Sequence, residues 1–242
     1  MKWGNESLML PKFALCGCVT DAPVEKIGNV LQHSKLDLME WRLDVSFRRY
    51  GLNETLDALG VLSTTPRHPV LATNRHKAEG GMFEGTEELR LNILHRAVDA
   101  GVEWIDLEER VGDAALQGFL SRNVRVLLSH HEMSQTPDRS SLKRLAKSMA
   151  RRGAHGIKIV TFARTPEDNL RVLELIPLGR QELGVDVLAF CMGPQGRWSR
   201  VACVFLGSPW TYVQIPEFSP AAEGQFTATE MRSLLNRLGP VF

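Results

Sequence analysis

Short apolar runs alternate with helix-length amphipathic stretches along the whole chain. Eight runs read as strands: 13–19 (FALCGCV), 36–44 (LDLMEWRLD), 69–75 (PVLATNR), 102–108 (VEWIDLE), 125–131 (RVLLSHH), 156–162 (GIKIVTF), 185–192 (VDVLAFCM) and 212–218 (YVQIPEF). Each is shorter than a typical helix. Between them lie PVEKIGNVLQHS, LNETLDALGVL, TEELRLNILHRAVDA, DAALQGFLSR, SSLKRLAKSMARR and TPEDNLRVLELIPLGRQEL, with TATEMRSLLNRL after the last strand. Thr165-Pro166-Glu167-Asp168 predicts a helix start with Thr165 as N-cap and proline in the first turn. Thr227 and Glu230 have the spacing of a capping box. The weakest unit is GRWSRVACVFLGS, which has room for only a short helix. Strand–helix units without a long linker or an internal repeat predict one (β/α)8 barrel over residues 1–242. The rival, an open doubly wound sheet, would want GxGxxG after the first strand, and LCGCVTDAP lacks it.

Composition narrows the classes. Charged residues make up 24% of the 242 and the net charge is +1, which points away from nucleic-acid and acidic-membrane partners. No run of about 18 apolar residues occurs, and the opening MKWGNESLMLPKF lacks the apolar core of a secretion signal. A soluble, cytoplasmic protein is expected. Of Cys16, Cys18, Cys191 and Cys203, the first two have one residue between them rather than the two of a redox or zinc motif, the first three lie in apolar runs, and buried thiols are expected. The histidines show no metal spacing, so no metal is expected.

The chemistry sits at the strand ends, which in a barrel face the site. Glu40, Arg42 and Asp44 alternate along EWRLD and share one face, leaving Met39, Trp41 and Leu43 for the helices. Arg75 ends the third strand, ahead of a loop carrying Glu79. Of the neighbours His130 and His131, only one can enter the barrel. Lys158 lies among β-branched residues in GIKIV, where a lysine is either paired or at work. Arg200 follows the glycine-containing MGPQGRW, and SPAAEGQFTATE forms a polar loop suited to a lid. A desolvated lysine amine is a nucleophile for a ketone, and a histidine can move the proton that the resulting iminium acidifies. Pairing of Lys158 with Glu40 or Asp44 in a structural ion network is the alternative. His33, His68, His76, His95 and His155 fall in loops or helices.

Six motifs in order, from about residue 13 to 238, resemble the type I 3-dehydroquinate dehydratases, shikimate-pathway enzymes that work through a lysine imine. EWRLD is similar to the family's second-strand signature, which implies that Glu40 and Arg42 bind substrate. RHKAEGG matches Arg-x3-Glu-Gly-Gly, implying substrate binding by Arg75 and positioning of the catalytic histidine by Glu79. SHHE resembles Ser-x-His-Asp, with His131 as the acid–base and Glu132 in place of aspartate. GIKIV gives Lys158 as the imine lysine, and MGPQGRWSR gives Arg200 as the clamp on the substrate carboxylate. The end of the lid motif gives Gln225 as a contact to substrate hydroxyls.

The lid departs from the family's Ser-Ala-Pro-Gly-Gln. Ala221 lacks the hydroxyl and Glu223 replaces the proline, with Ser219 two positions earlier as a candidate substitute. One lost neutral hydrogen bond costs about 0.5–1.5 kcal/mol, which weakens binding without disabling the enzyme. The resemblance implies dehydration of 3-dehydroquinate, no cofactor or metal, and a homodimer. Two other classes share these residues. A class I aldolase would need a phosphate cradle at the seventh and eighth strands, where MGPQGRWSR lies. A metabolite-binding sensor would have no need of both Lys158 and His131.

Overall fold

All eight predicted runs form strands in the computed structural model, which describes residues 14–32, 35–64, 67–219 and 221–238. They are β1 (Ala14–Val19), β2 (Leu38–Arg42), β3 (Val70–Thr73), β4 (Trp104–Glu108), β5 (Arg125–Glu132), β6 (Gly156–Phe162), β7 (Asp186–Met192) and β8 (Trp210–Gln214). A short β9 (Phe226–Thr227) follows. Residue 13 of the first run and residues 33–34 of the first predicted helix lie outside the described residues. Every ladder is parallel, and neighbours in sequence are neighbours in the sheet from β7 through β1, then β8 and β9. Helices cover the outer face and the barrel interior covers the inner one, so the strands are buried on both sides and their runs are largely apolar.

The sheet is curled. β2 and β6 are four ladders apart, which in a flat sheet is about 19 Å at the usual strand spacing. Yet Lys158 Nζ on β6 lies 3.8 Å from Glu40 Oε1 on β2. Trp104 on β4 and Trp210 on β8 likewise meet edge to face, with ring centroids 5.4 Å apart. These contacts cross the interior of a TIM-like barrel.

The expectation of a closed eight-stranded barrel needs correcting. Among the described residues β7 and β8 share no ladder, so the barrel has a seam there. Near its top, β8 pairs instead with β9, Val213 opposite Phe226 and Gln214 opposite Thr227. Side chains bridge the gap: Phe190 on β7 and Tyr212 on β8 have centroids 5.9 Å apart. The helix Ser199–Phe205 packs on both strands from outside. It is the short helix foreseen for the weakest unit.

Three local expectations also shift. β2 stops at Arg42 because Leu43–Tyr50 is helical, so Asp44 lies in a first helical turn rather than on the strand. β8 runs Trp210–Gln214, not 212–218, and Pro216, which has no N–H to donate, follows it. Thr165 does not cap the next helix. The Asp168 carboxylate instead accepts the Arg164 and Thr165 amides at 2.7 and 3.1 Å, and the helix begins at Asp168. The second capping signal holds: Thr227 N donates to Glu230 Oε2 (2.8 Å), and Glu230 N donates to Thr227 Oγ1 (3.2 Å). That box anchors the chain where the loop over the barrel mouth ends.

Candidate active site

The upper ends of the strands enclose a cavity of about 240 Å³. Period-two alternation on β6 sends Lys158, Val160 and Phe162 into it. His131 enters from β5, Glu40 and Arg42 from β2, and Cys18 from β1. Arg75, Glu79, Arg200, Ala221 and Gln225 complete the predicted set around the same space. Ser219 is not among the lining residues. Its hydroxyl donates to Asp21 Oδ2 at 2.9 Å, so it does not replace the hydroxyl missing at Ala221. Glu132 also stays out, accepting the Ser134 amide and hydroxyl at 2.9 and 2.6 Å. His130 turns to the other side of β5, with Nδ1 3.5 Å from Glu109.

Lys158 is not in a bare apolar wall. Its ammonium lies 3.3 Å from Asp106 Oδ2 and 3.8 Å from Glu40 Oε1, above the Tyr212 ring at 4.5 Å. Of the two pairings named as alternatives, Glu40 is real, while Asp44 is taken by Arg42 in a bidentate bridge of 2.8 and 2.7 Å. Glu40 is held in turn by the Thr73 hydroxyl (2.8 Å) and the Cys18 thiol (3.4 Å).

The loop after β3 brings Glu79 beneath His131. Gly80 has φ +76, and a Cβ on Gly81 would lie 2.0 Å from the Arg75 carbonyl oxygen. Only the double glycine permits this fold-back. Glu79 Oε2 then accepts from the His131 amide (3.2 Å) and pairs with its Nδ1 (3.1 Å). An ionised Glu79 accepts the Nδ1 proton and leaves the lone pair on Nε2, on the far side of the ring. Burial pulls His131 well below the usual imidazole range, and Arg75, Lys158, Arg42 and His130 add to the pull. Burial first, and these cations after it, disfavour the charged imidazole, which leaves the ring as a neutral base. Arg75 reaches Asp106 at 2.6 Å, the Ser129 hydroxyl at 2.7 Å, Glu108 at 3.5 Å and Glu79 at 3.7 Å, so it ties the floor of the site together.

Arg200 differs from the other cations. It is 1% exposed, and among the described residues no carboxylate lies within 4.0 Å of it. Its guanidinium lies over the Phe190 ring at 4.7 Å and donates to the Glu223 carbonyl at 3.4 Å. Burial without an offsetting anion pulls it down to about 10. A carboxylate ligand would supply the missing charge.

The type I 3-dehydroquinase family model matches residues 15–240. This chain belongs to that family. With membership comes an enzyme, a hydro-lyase. A 3-dehydroquinate dehydratase of Syntrophobacter fumaroxidans is 47% identical over 225 residues, 93% of this chain and 96% of that protein. One from Pyrococcus abyssi is 33% identical over 96% of this chain and 99% of its own length. The crystal structure of the type I 3-dehydroquinate dehydratase of Clostridium difficile, with covalently modified comenic acid, superposes with a TM-score of 0.81. That match covers 93% of this chain and 91% of that one at 24% identity, and shows the shared fold. No described helix is long and apolar enough to cross a membrane.

The cavity also rests on residues to which the sequence analysis gave no role. Asp106, Glu108 and Ser129 lie one layer below the cavity, and Tyr212, Phe190 and Met133 line it. Acidic residues at period two inside VEWIDLE were the signal for Asp106 and Glu108, the same signal that marked Glu40 and Arg42.

Holding Glu79 charged has a cost in stability. Burial raises its carboxyl from 4.5 to about 7, against the opposing pull of Arg75. A carboxyl raised on folding gives its full stabilisation below its ordinary value and loses it as pH climbs through the folded value. Glu79→Gln therefore gains stability over the wild type between pH 4.5 and about 7 and keeps the gain above that. The gain is roughly 3 kcal/mol at most. Urea unfolding at about pH 5 and about pH 8 checks it: a difference that does not grow with pH would mean that Glu79 is not held against its charge.

Proposed function

We propose that this protein is a 3-dehydroquinate dehydratase acting through an imine on Lys158. The observation that carries this is one cavity holding three things. They are an amine, a histidine whose Nδ1 is fixed by Glu79, and a buried guanidinium with no carboxylate partner among the described residues.

Lys158 Nζ adds to the ring ketone, and loss of water from the carbinolamine gives a protonated imine. This electron sink acidifies the neighbouring carbon–hydrogen bond. His131 Nε2 takes that proton and an enamine forms. The enamine electrons expel the β-hydroxyl, which leaves as water with the proton His131 has just gained. One imidazole serving both steps works from one face of the ring, which makes the elimination syn. Water then adds to the new imine, releasing 3-dehydroshikimate and restoring the amine. Arg200 binds the ring carboxylate, while Glu40, Arg42, Arg75 and Gln225 hold hydroxyls. Gln225 is already turned inward, with Nε2 3.5 Å from Cys18 Sγ and Oε1 accepting the Ala221 amide at 3.2 Å. The lysine supplies the electron sink, so the reaction needs no cofactor. The family resemblance supports placing it in the shikimate pathway, as a cytoplasmic homodimer.

Incubation with 3-dehydroquinate tests the reading. Rising absorbance from the conjugated product is expected, and borohydride added during turnover should leave a substrate-derived mass on the peptide containing Lys158. No product and no adduct would end the dehydratase reading.

A further inference from the structure

The turn after β4 carries a residue that neither touches the cavity nor belongs to any motif above. Glu109 N donates to the Ser129 carbonyl (2.7 Å) and Val111 N to the Glu108 carbonyl (2.9 Å). The Arg152 guanidinium donates to the carbonyls of Glu109 and Val111. Between these pinned positions, Arg110 extends across Glu79, its Nε 3.4 Å from Oε1. That oxygen is buried and accepts no hydrogen bond from the described residues, whereas Oε2 is taken by His131. The two oxygens thus have separate duties, one toward the imidazole and one toward Arg110.

We propose that Arg110 is a positioning residue that holds Glu79 ionised beneath His131 and thereby sets the lower pH limit of catalysis. The inference rests on the dehydratase reading above. A protonated Glu79 would donate to Nδ1 and place the ring proton on Nε2, where it blocks the base. Whatever keeps Glu79 charged keeps the correct tautomer. Glu79 also faces Arg75 on the β3 side, which helps, and Asp106 and Glu108 on β4, which oppose. From β5, His131 meets it directly, and His130 is occupied by Glu109. Around His131 stand Arg42 and Lys158. Arg110 is the one charge in this group that is mostly exposed, at 59% of its side chain, so salt and substitution can reach it.

Profiles of kcat/KM against pH test the idea in wild type, Arg110→Gln and Arg110→Lys. In Arg110→Gln the acid limb should move up by roughly half a pH unit, the size expected of a half-exposed ion pair. Arg110→Lys should restore most of that shift. High salt should move the wild-type limb the same way and leave Arg110→Gln where it is. KM should change less than twofold, because Arg110 does not line the cavity. An acid limb in Arg110→Gln that overlies the wild type's would overturn the proposal, as would a raised KM with an unmoved limb. If wild type fails to convert 3-dehydroquinate, the dehydratase reading fails instead. The present inference is then read from the carbon-13 titration of the Glu79 carboxyl, which should move up in Arg110→Gln and would refute the role if it did not.

Discussion

Lys158→Met should lower kcat by at least about 10⁴-fold and abolish the borohydride adduct, because a nucleophile has no partial substitute. Among the described residues no other lysine lines the cavity, and the arginines there cannot form an imine at neutral pH. Binding should survive better than turnover, since Arg200 and the hydroxyl contacts remain. The substitution also removes a buried cation. Asp106 keeps Arg75 at 2.6 Å and Glu40 keeps the Thr73 hydroxyl at 2.8 Å, so neither carboxylate is left bare. A loss of about 3 kcal/mol is expected, at the low end for a broken buried pair. Thermal unfolding separates that from the chemistry, and Lys158→Arg keeps the charge while still being unable to form an imine. Turnover above about a hundredth of wild type in a folded variant, with an adduct elsewhere, would show that another amine does the work.

The sequence made the two sides of the site unequally legible. Local alternation was enough for Lys158, Glu40 and Arg42, since a charge at a period-two position on a buried strand has one place to point. The glycines of RHKAEGG were equally informative, because the fold-back over the Arg75 carbonyl tolerates no side chain. Partnership was harder. Asp106 lies 52 residues from Lys158, and nothing local says that the two meet across the barrel. The same gap hid the surroundings of His131, where burial first and then the distant cations Arg75, Lys158 and Arg42 disfavour the charged ring. Barrel closure failed for a different reason. All eight runs contain a strand, but β9 is two residues long, too short to show a pattern, and it takes the edge of β8 that closure would have used. Ser219 failed because spacing cannot show that a hydroxyl is already bound, here by Asp21.

His131→Ala should separate the two halves of the mechanism that Lys158→Met removes together. Turnover should fall about 10²–10⁴-fold, the usual contribution of a positioned acid–base group. The Lys158 adduct should persist, because the amine can still add to the ketone. Covalent substrate should even accumulate, since the step that consumes the imine is now the slow one. Structural loss is expected to be small: Glu79 keeps its bond from the residue-131 amide, a backbone group unaffected by the change. The wild-type ring is neutral before reaction because burial and its cationic neighbours disfavour the proton. Taking the proton from carbon is thus matched by readiness to return it to the leaving hydroxyl, which is what a single group serving both steps requires. A fall of less than tenfold would mean that another group moves the proton. Loss of the adduct with Lys158 intact would place His131 in imine formation itself and make the elimination a later question. Intact mass after borohydride, read beside the rate, distinguishes all three results.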